Sequence, residues 1–125
     1  FEIELIPDLK KTKNLSEEQQ KEKEGQLILK KLAPTDVLIL FDEKGKHLTS
    51  IEFSQYLQKK MNSGIKQVVF LIGGPYGFSN DVYAKALGKI SLSKMTFSHQ
   101  MVRLFITEQL YRAFTILKNE PYHHN

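Results

Sequence analysis

The 125-residue sequence has no cysteine, no tryptophan, only four prolines, and no apolar stretch approaching a membrane span. Without cysteine there is neither a disulfide nor a thiolate metal site, although that alone does not assign a compartment. A spanning helix needs roughly 20 consecutive apolar residues, and the longest pure runs here are far shorter. No charged-then-apolar leader precedes a cleavage site, so a cytoplasmic protein is expected. Catalytic constellations are missing too. There is no nucleophile elbow, no cysteine nucleophile and no pair of catalytic carboxylates, which favours a reaction using a bound, activated donor over covalent catalysis.

Acidic residues are scarce in one half only. Residues 1–65 carry 11 basic and 11 acidic side chains, whereas residues 66–125 carry 7 basic and 3 acidic. The net charge of +4 therefore belongs to the second half, where a basic field suits a polyanionic substrate, or is simply a mildly basic surface. Length bounds the chain to one domain with a real core, and 41% hydrophobic with 26% charged residues is ordinary for a globular protein. A chain opening on Phe1 rather than Met is expected to lack an N-terminal segment.

Phe1-Glu2-Ile3-Glu4-Leu5-Ile6 alternates like a strand. Ser16 with Gln19, and Thr49 with Glu52, are capping-box pairs that each start a helix. The first helix is charged, with only Leu27, Ile28, Leu29 and Leu32 to bury, so it is expected to dock by its C-terminal half and to stop before Pro34. The second presents Phe53, Tyr56, Leu57 and Met61 on one face and ends at Gly64. Val37-Leu38-Ile39-Leu40-Phe41 and Val68-Val69-Phe70-Leu71-Ile72 read as buried central parallel strands. The first of these is expected to end in a polar turn at Asp42-Glu43-Lys44-Gly45-Lys46. Ser79-Asn80-Asp81 caps a short helix through Ala86 and Leu87.

A last helix is expected from about Gln100 to Lys118. Val102, Phe105, Ile106, Leu110, Ala113, Phe114 and Leu117 make its core face. Met101, Leu104 and Tyr111 form a second apolar stripe, which points to a dimer or to a helix sunk deep in a monomer. The βαβαβα alternation gives an α/β fold: a mostly parallel sheet with helices on both faces.

Gly73-Gly74-Pro75-Tyr76-Gly77 follows a buried strand directly. It is neither a phosphate loop ending Gly-Lys-Ser/Thr nor a dinucleotide GxGxxG turn. It is a plain tight turn or one that lets backbone N–H groups approach a ligand. A β-branched side chain at Gly73 is expected to block such a ligand while leaving the fold intact. Ser93, Lys94, Thr96, Ser98 and His99 offer hydrogen bonds to a ligand edge or ordinary capping chemistry. Tyr122-His123-His124 after Pro121 is a disordered tail or a short recognition element. No third histidine or carboxylate lies in sequence reach, so no metal site is expected.

Phe70 to Gly77, Leu92 to Arg103, Glu108-Gln109-Leu110-Tyr111-Arg112-Ala113 and Pro121-Tyr122-His123 together resemble the RlmH family. These are bacterial methyltransferases of the SPOUT class, which act on N3 of a pseudouridine in large-subunit (23S) ribosomal RNA and have an α/β trefoil knot. The resemblance runs along the whole chain, with Glu22-Lys23-Glu24-Gly25 included, and lacks only the family's opening strand and helix. It implies one SPOUT methyltransferase domain over residues 1–125, missing that first strand and helix. It further implies a knot threaded by the C-terminal segment, an exception to the rule against knots.

The implied cofactor is S-adenosylmethionine, held by Phe41, Gly73, Leu92, Ser93, Lys94, Met95, Thr96 and Phe97. The implied partners are a second copy of the chain and ribosomal RNA within the assembled ribosome, with no membrane and no metal. The tail, through Tyr122 and His123, is implied to build the site for the base, with Arg103 and Arg112 as further catalytic candidates. His124 stands where many relatives carry a cation, which removes a fixed positive charge from the tail. The competing readings are a non-catalytic RNA- or nucleotide-binding module and a flavodoxin-like nucleotide binder.

Overall fold

A computed structural model describes residues 2–6, 16–73, 77–92 and 99–123. In chain order the elements are β1 (Glu2–Ile6), α1 (Glu17–Lys31), β2 (Val37–His47), α2 (Ser50–Asn62), β3 (Gln67–Ile72), α3 (Asn80–Lys85), β4 (Gly88–Ser91) and α4 (His99–Leu117). The four strands form one sheet in the order β1-β3-β2-β4, and every pairing is parallel. The two strands with continuous apolar sequence are the two central ones.

Alternation along those strands sorts the core into two layers, because successive side chains leave a strand on opposite faces. Ile39, Phe41, Val68, Phe70 and Ile72 face Phe53 and Leu57 of α2 and Ile106 and Ala113 of α4. Leu38, Leu40, Val69 and Leu71 face Ile28 of α1 and Val82 of α3. Helices therefore cover both faces, as expected. Ser50 Oγ donates to Gln109 Oε1 at 2.6 Å, tying α2 to α4 on their common face.

Both capping boxes form: Ser16 pairs reciprocally with Gln19 and Thr49 with Glu52. Gly64 adopts φ +81° after α2, the left-handed conformation that ends a helix at least cost in glycine.

Four expectations need correction. A fourth strand, β4, adds to the alternation; with four residues, one of them glycine, it carries too little pattern to be read locally. The polar stretch after Phe41 does not leave the sheet. Phe41 and Lys46 both register with Ile90, so β2 bows outward between them and rejoins β4. Gly45 lies in that bow with its Cα against the Ile90 backbone, where a Cβ would sit 2.6 Å away.

The short helix stops at Lys85, leaving Leu87 60% exposed. Finally, α1 docks along more than its C-terminal half, since Gln20 and Gly25 are buried while Leu27 is not. Gly25 is the closest point of α1 to α3: a Cβ there would meet Ser79 Oγ at 2.3 Å and Val82 Cγ2 at 3.1 Å.

Candidate active site

Two parallel strands, β3 and β4, end on either side of β2, which bows out after Phe41. Phe41 registers with Ile72 on one flank and with Ile90 on the other, so Gly73 and Leu92 follow the strands that flank Phe41. Strands stand about 4.8 Å apart, so the three positions span about 10 Å along the carboxyl edge of the sheet. This edge is where open parallel α/β sheets take their ligands. The backbone groups beyond the last ladder pair at such an edge are open to a ligand, and the partly exposed Leu92 supplies apolar surface beside them. That chemistry fits a nucleoside-bearing cofactor. Ser93, Lys94, Met95, Thr96 and Phe97 lie outside the described residues, as do Gly74, Pro75 and Tyr76.

Gly73 has a structural duty of its own. A Cβ there would come within 2.8 Å of the Phe78 ring, and Phe78 belongs to the buried layer under α1 and α3. A β-branched residue at Gly73 therefore also presses on the Phe78 ring, which must shift to admit it.

A second constellation is built by α4 and the segment after it. The helix ends in a paired C-cap. Asn119 takes φ +57°, its N–H donates to the Ile116 carbonyl at 3.1 Å, and the N–H of Glu120 reaches back to the Thr115 carbonyl at 2.9 Å. Asparagine tolerates this left-handed conformation better than most residues, and Pro121 prevents any continuation of the helix. The chain is thus turned back along α4. Tyr122 then stacks edge-on against Tyr111 with ring centroids 4.9 Å apart.

Glu108 is the hub of this cluster. Arg112 donates through Nε and Nη2 to Glu108 Oε1 at 3.0 and 2.8 Å, and the Tyr122 hydroxyl donates to the same oxygen at 3.1 Å. Gln109 Nε2 donates to the other oxygen at 3.1 Å. Arg112 lies over the Tyr122 ring at 4.9 Å, and its Nη1 sits 2.9 Å from His123 Nδ1. A guanidinium can only donate, so Nδ1 accepts and the ring proton resides on Nε2. The Arg112 hydrogen bonds, followed by the one from Tyr122, hold the Glu108 carboxyl below its ordinary value, and the bond to Glu108 raises the Tyr122 phenol. Glu108 and Arg112 carry opposite charges, so the pair at the centre of the cluster is neutral.

The structure thus brings together three of the four residues expected to be catalytic. Arg103 stands apart. It is exposed, nine positions before Arg112, which is half a turn away around the helix and about 13 Å along its axis. Glu108 was overlooked as a site residue. Its signals were an i, i+4 pairing with Arg112 and its rarity as one of three acids after residue 65. The second stripe of α4 is external: Leu104 is 59% and Tyr111 57% exposed, with Met101 beside them. Among the described residues no cluster of three or more histidine or acidic side chains could hold a metal. No helix there is long and apolar enough to cross a membrane.

A parallel sheet covered by helices on both faces is compatible with an α/β methyltransferase of the trefoil-knot class. A family model described as "Predicted SPOUT methyltransferase" matches residues 1–123. The chain is 73% identical to the ribosomal RNA large subunit methyltransferase H of Flavobacterium psychrophilum. It is 71% identical to the protein of that name from Flavobacterium johnsoniae and 69% to that from Christiangramia forsetii. Each match covers 99% of this chain and 79% of the relative. The chain belongs to the SPOUT methyltransferase family.

Proposed function

We propose that this protein is an S-adenosylmethionine-dependent methyltransferase that methylates N3 of a pseudouridine in large-subunit (23S) ribosomal RNA. It acts as a cytoplasmic homodimer on the assembled ribosome, through a single domain spanning residues 1–125. Two features support the reading: the strand edge at Phe41, Gly73 and Leu92 and, on α4, the cluster Glu108–Arg112–Tyr122–His123. Identity above two thirds to several ribosomal RNA methyltransferases over almost the whole chain supports the substrate class.

When bound, S-adenosylmethionine supplies a methyl group already activated by its sulfonium, so the protein's task is mainly orientation. The backbone at Phe41, Gly73 and Leu92 would hold the donor. Tyr122 and His123 position the base, and Arg112 and Glu108 fix them. Because the charge of Arg112 is compensated by Glu108, its part is to orient His123 more than to supply a positive field. His123, with its proton on Nε2, meets the base as a donor toward a ring carbonyl oxygen. Methylation at N3 would require the imide proton to leave to solvent or to a nearby base.

The exposed stripe of Met101, Leu104 and Tyr111 is the dimer surface. It adjoins Tyr122, so pairing of two copies along α4 covers the tail cluster and shields it from water.

The test combines calorimetry with S-adenosylmethionine and mass spectrometry of ribosomal RNA after incubation with the protein. Donor binding together with a new methyl group on a large-subunit pseudouridine is expected. Donor binding without any methylation of ribosomes would favour the non-catalytic RNA-binding alternative.

A further inference from the structure

Beside the strand edge, on the side of α3, lies a cleft lined by Lys44, Tyr83, Ala86, Leu87, Gly88 and Lys89. It runs along β4, the outer strand of the sheet. Its floor is rigid. The Tyr83 hydroxyl donates to the Asp42 carboxylate, and burial, reinforced by that bond, pushes the phenol up to about 12. The other Asp42 oxygen accepts from the Lys44 backbone N–H at 2.8 Å. The N–H of Leu87 donates to the Leu38 carbonyl at 2.8 Å, so this leucine is exposed while its backbone is fixed to the sheet.

Two lysines flank this floor. Lys89 extends over the Tyr83 ring at 5.5 Å, and neither its ammonium nor that of Lys44 makes an ion pair among the described residues. Asp42 is already engaged by Tyr83 and Lys44, and Glu43 is the exposed carboxylate nearest in sequence. An exposed apolar side chain sharing a cleft with two ammonium groups that make no ion pair among the described residues suits a ribose–phosphate strand: the lysines meet phosphates, and the leucine meets a sugar or base face.

Position ties the cleft to the donor edge. Lys89 registers with Leu40, one residue before Phe41, and Lys44 is three residues past Phe41. At about 3.3 Å per residue both lie within about 10 Å of the donor edge. We infer that this cleft binds the backbone of the RNA strand flanking the methylated base, extending the substrate site across the β4 edge. The inference rests on the ribosomal RNA reading above and assigns a surface to it.

The probe is purified ribosomes from cells lacking the methyltransferase, titrated with the dimer over a range of salt concentrations. Lys44→Gln/Lys89→Gln should weaken binding about tenfold at moderate salt and make log K fall less steeply with log salt, by about 1.4 for two single-strand phosphate contacts. Its affinity for S-adenosylmethionine and its dimerisation should match the parent. Leu87→Ser should weaken ribosome binding without changing the slope. The control Lys30→Gln/Lys31→Gln, in the last turn of α1, should keep the parental slope. Parental affinity and slope in the Lys44/Lys89 variant would overturn the inference, as would an equal loss in the control or a loss confined to dimerisation. No ribosome binding by the unsubstituted protein would sink the RNA reading and the cleft together.

Discussion

Replacing Gly25 by alanine sets two energies of opposite sign against each other. Glycine inside a helix is about 1 kcal/mol worse than alanine, so helix propensity alone has the substitution stabilise α1 by that amount. The new methyl, however, would sit 2.3 Å from Ser79 Oγ and 3.1 Å from Val82 Cγ2. Ser79 is not a free surface side chain. It is 4% exposed, and its Oγ accepts from the Val82 N–H at 3.3 Å as the N-cap of α3. Moving it out of the way loses a cap, about 1 kcal/mol. Overfilling a packed contact between two helices costs a further 1–3 kcal/mol or so.

The net expectation is therefore destabilisation by about 1–3 kcal/mol, measured as a lower midpoint in urea with an unchanged slope. A second substitution sharpens the logic. Ser79→Gly removes the colliding atom at a cost of only a few tenths of a kcal/mol at an N-cap, so adding it to Gly25→Ala should restore most of the loss. The two changes must then be strongly non-additive. A stabilised Gly25→Ala, or a double variant whose loss is the sum of the singles, would refute the close α1–α3 contact.

Leu104→Glu should give a folded but monomeric and inactive protein by sedimentation, because the stripe it charges faces outward; a dimer would mean the stripe is not the interface. Glu108→Gln should loosen Tyr122 and His123 and lower methyl transfer at least tenfold with little change in donor affinity, read by calorimetry and a methylation assay. Since the folded-state carboxyl of Glu108 is depressed, its hold on the tail is present above about pH 4.5 and fades as pH falls through the lowered value. The unsubstituted protein in acid should therefore approach the Gln variant in its His123 NMR signals. Deleting Tyr122 to Asn125 should change stability by no more than about 1 kcal/mol yet abolish methylation of ribosomal RNA, as scored by mass spectrometry, while donor binding persists.

Local chemistry was readable in the sequence. The boxes Ser16–Gln19 and Thr49–Glu52, the stop at Gly64 and the bounds of α4 depend on neighbours within one helical turn. The buried strands were readable because each face of a central strand must be apolar. What depended on a distant partner was not. The strand Gly88–Ser91 exists because β2 runs beside it, and the stretch from Asp42 to His47 stays in the sheet because β4 receives it. Gly25 is buried because the start of α3 approaches where α1 has no side chain, which the charged sequence around it conceals. The candidate site divides in the same way. Phe41, Gly73 and Leu92 close apolar runs or follow strand ends and were marked by pattern and resemblance, whereas Glu108 becomes a hub only after the chain reverses at Asn119.

The strand order β1-β3-β2-β4 also has a kinetic side. No two strands that pair are joined by a short turn: Glu2 pairs with Gln67, Val37 with Val68 and Ile39 with Gly88. Such separations make loop closure costly and folding slow. The face bearing Ile39, Phe53 and Phe70 stays partly open until α4, which follows all four strands in the chain, lays Ile106 and Ala113 upon it. During synthesis the nascent chain must therefore carry an unsealed apolar layer until α4 emerges. Tyr122 and His123 emerge with the segment that closes that layer, so the chain gains its site residues only as it becomes able to finish folding.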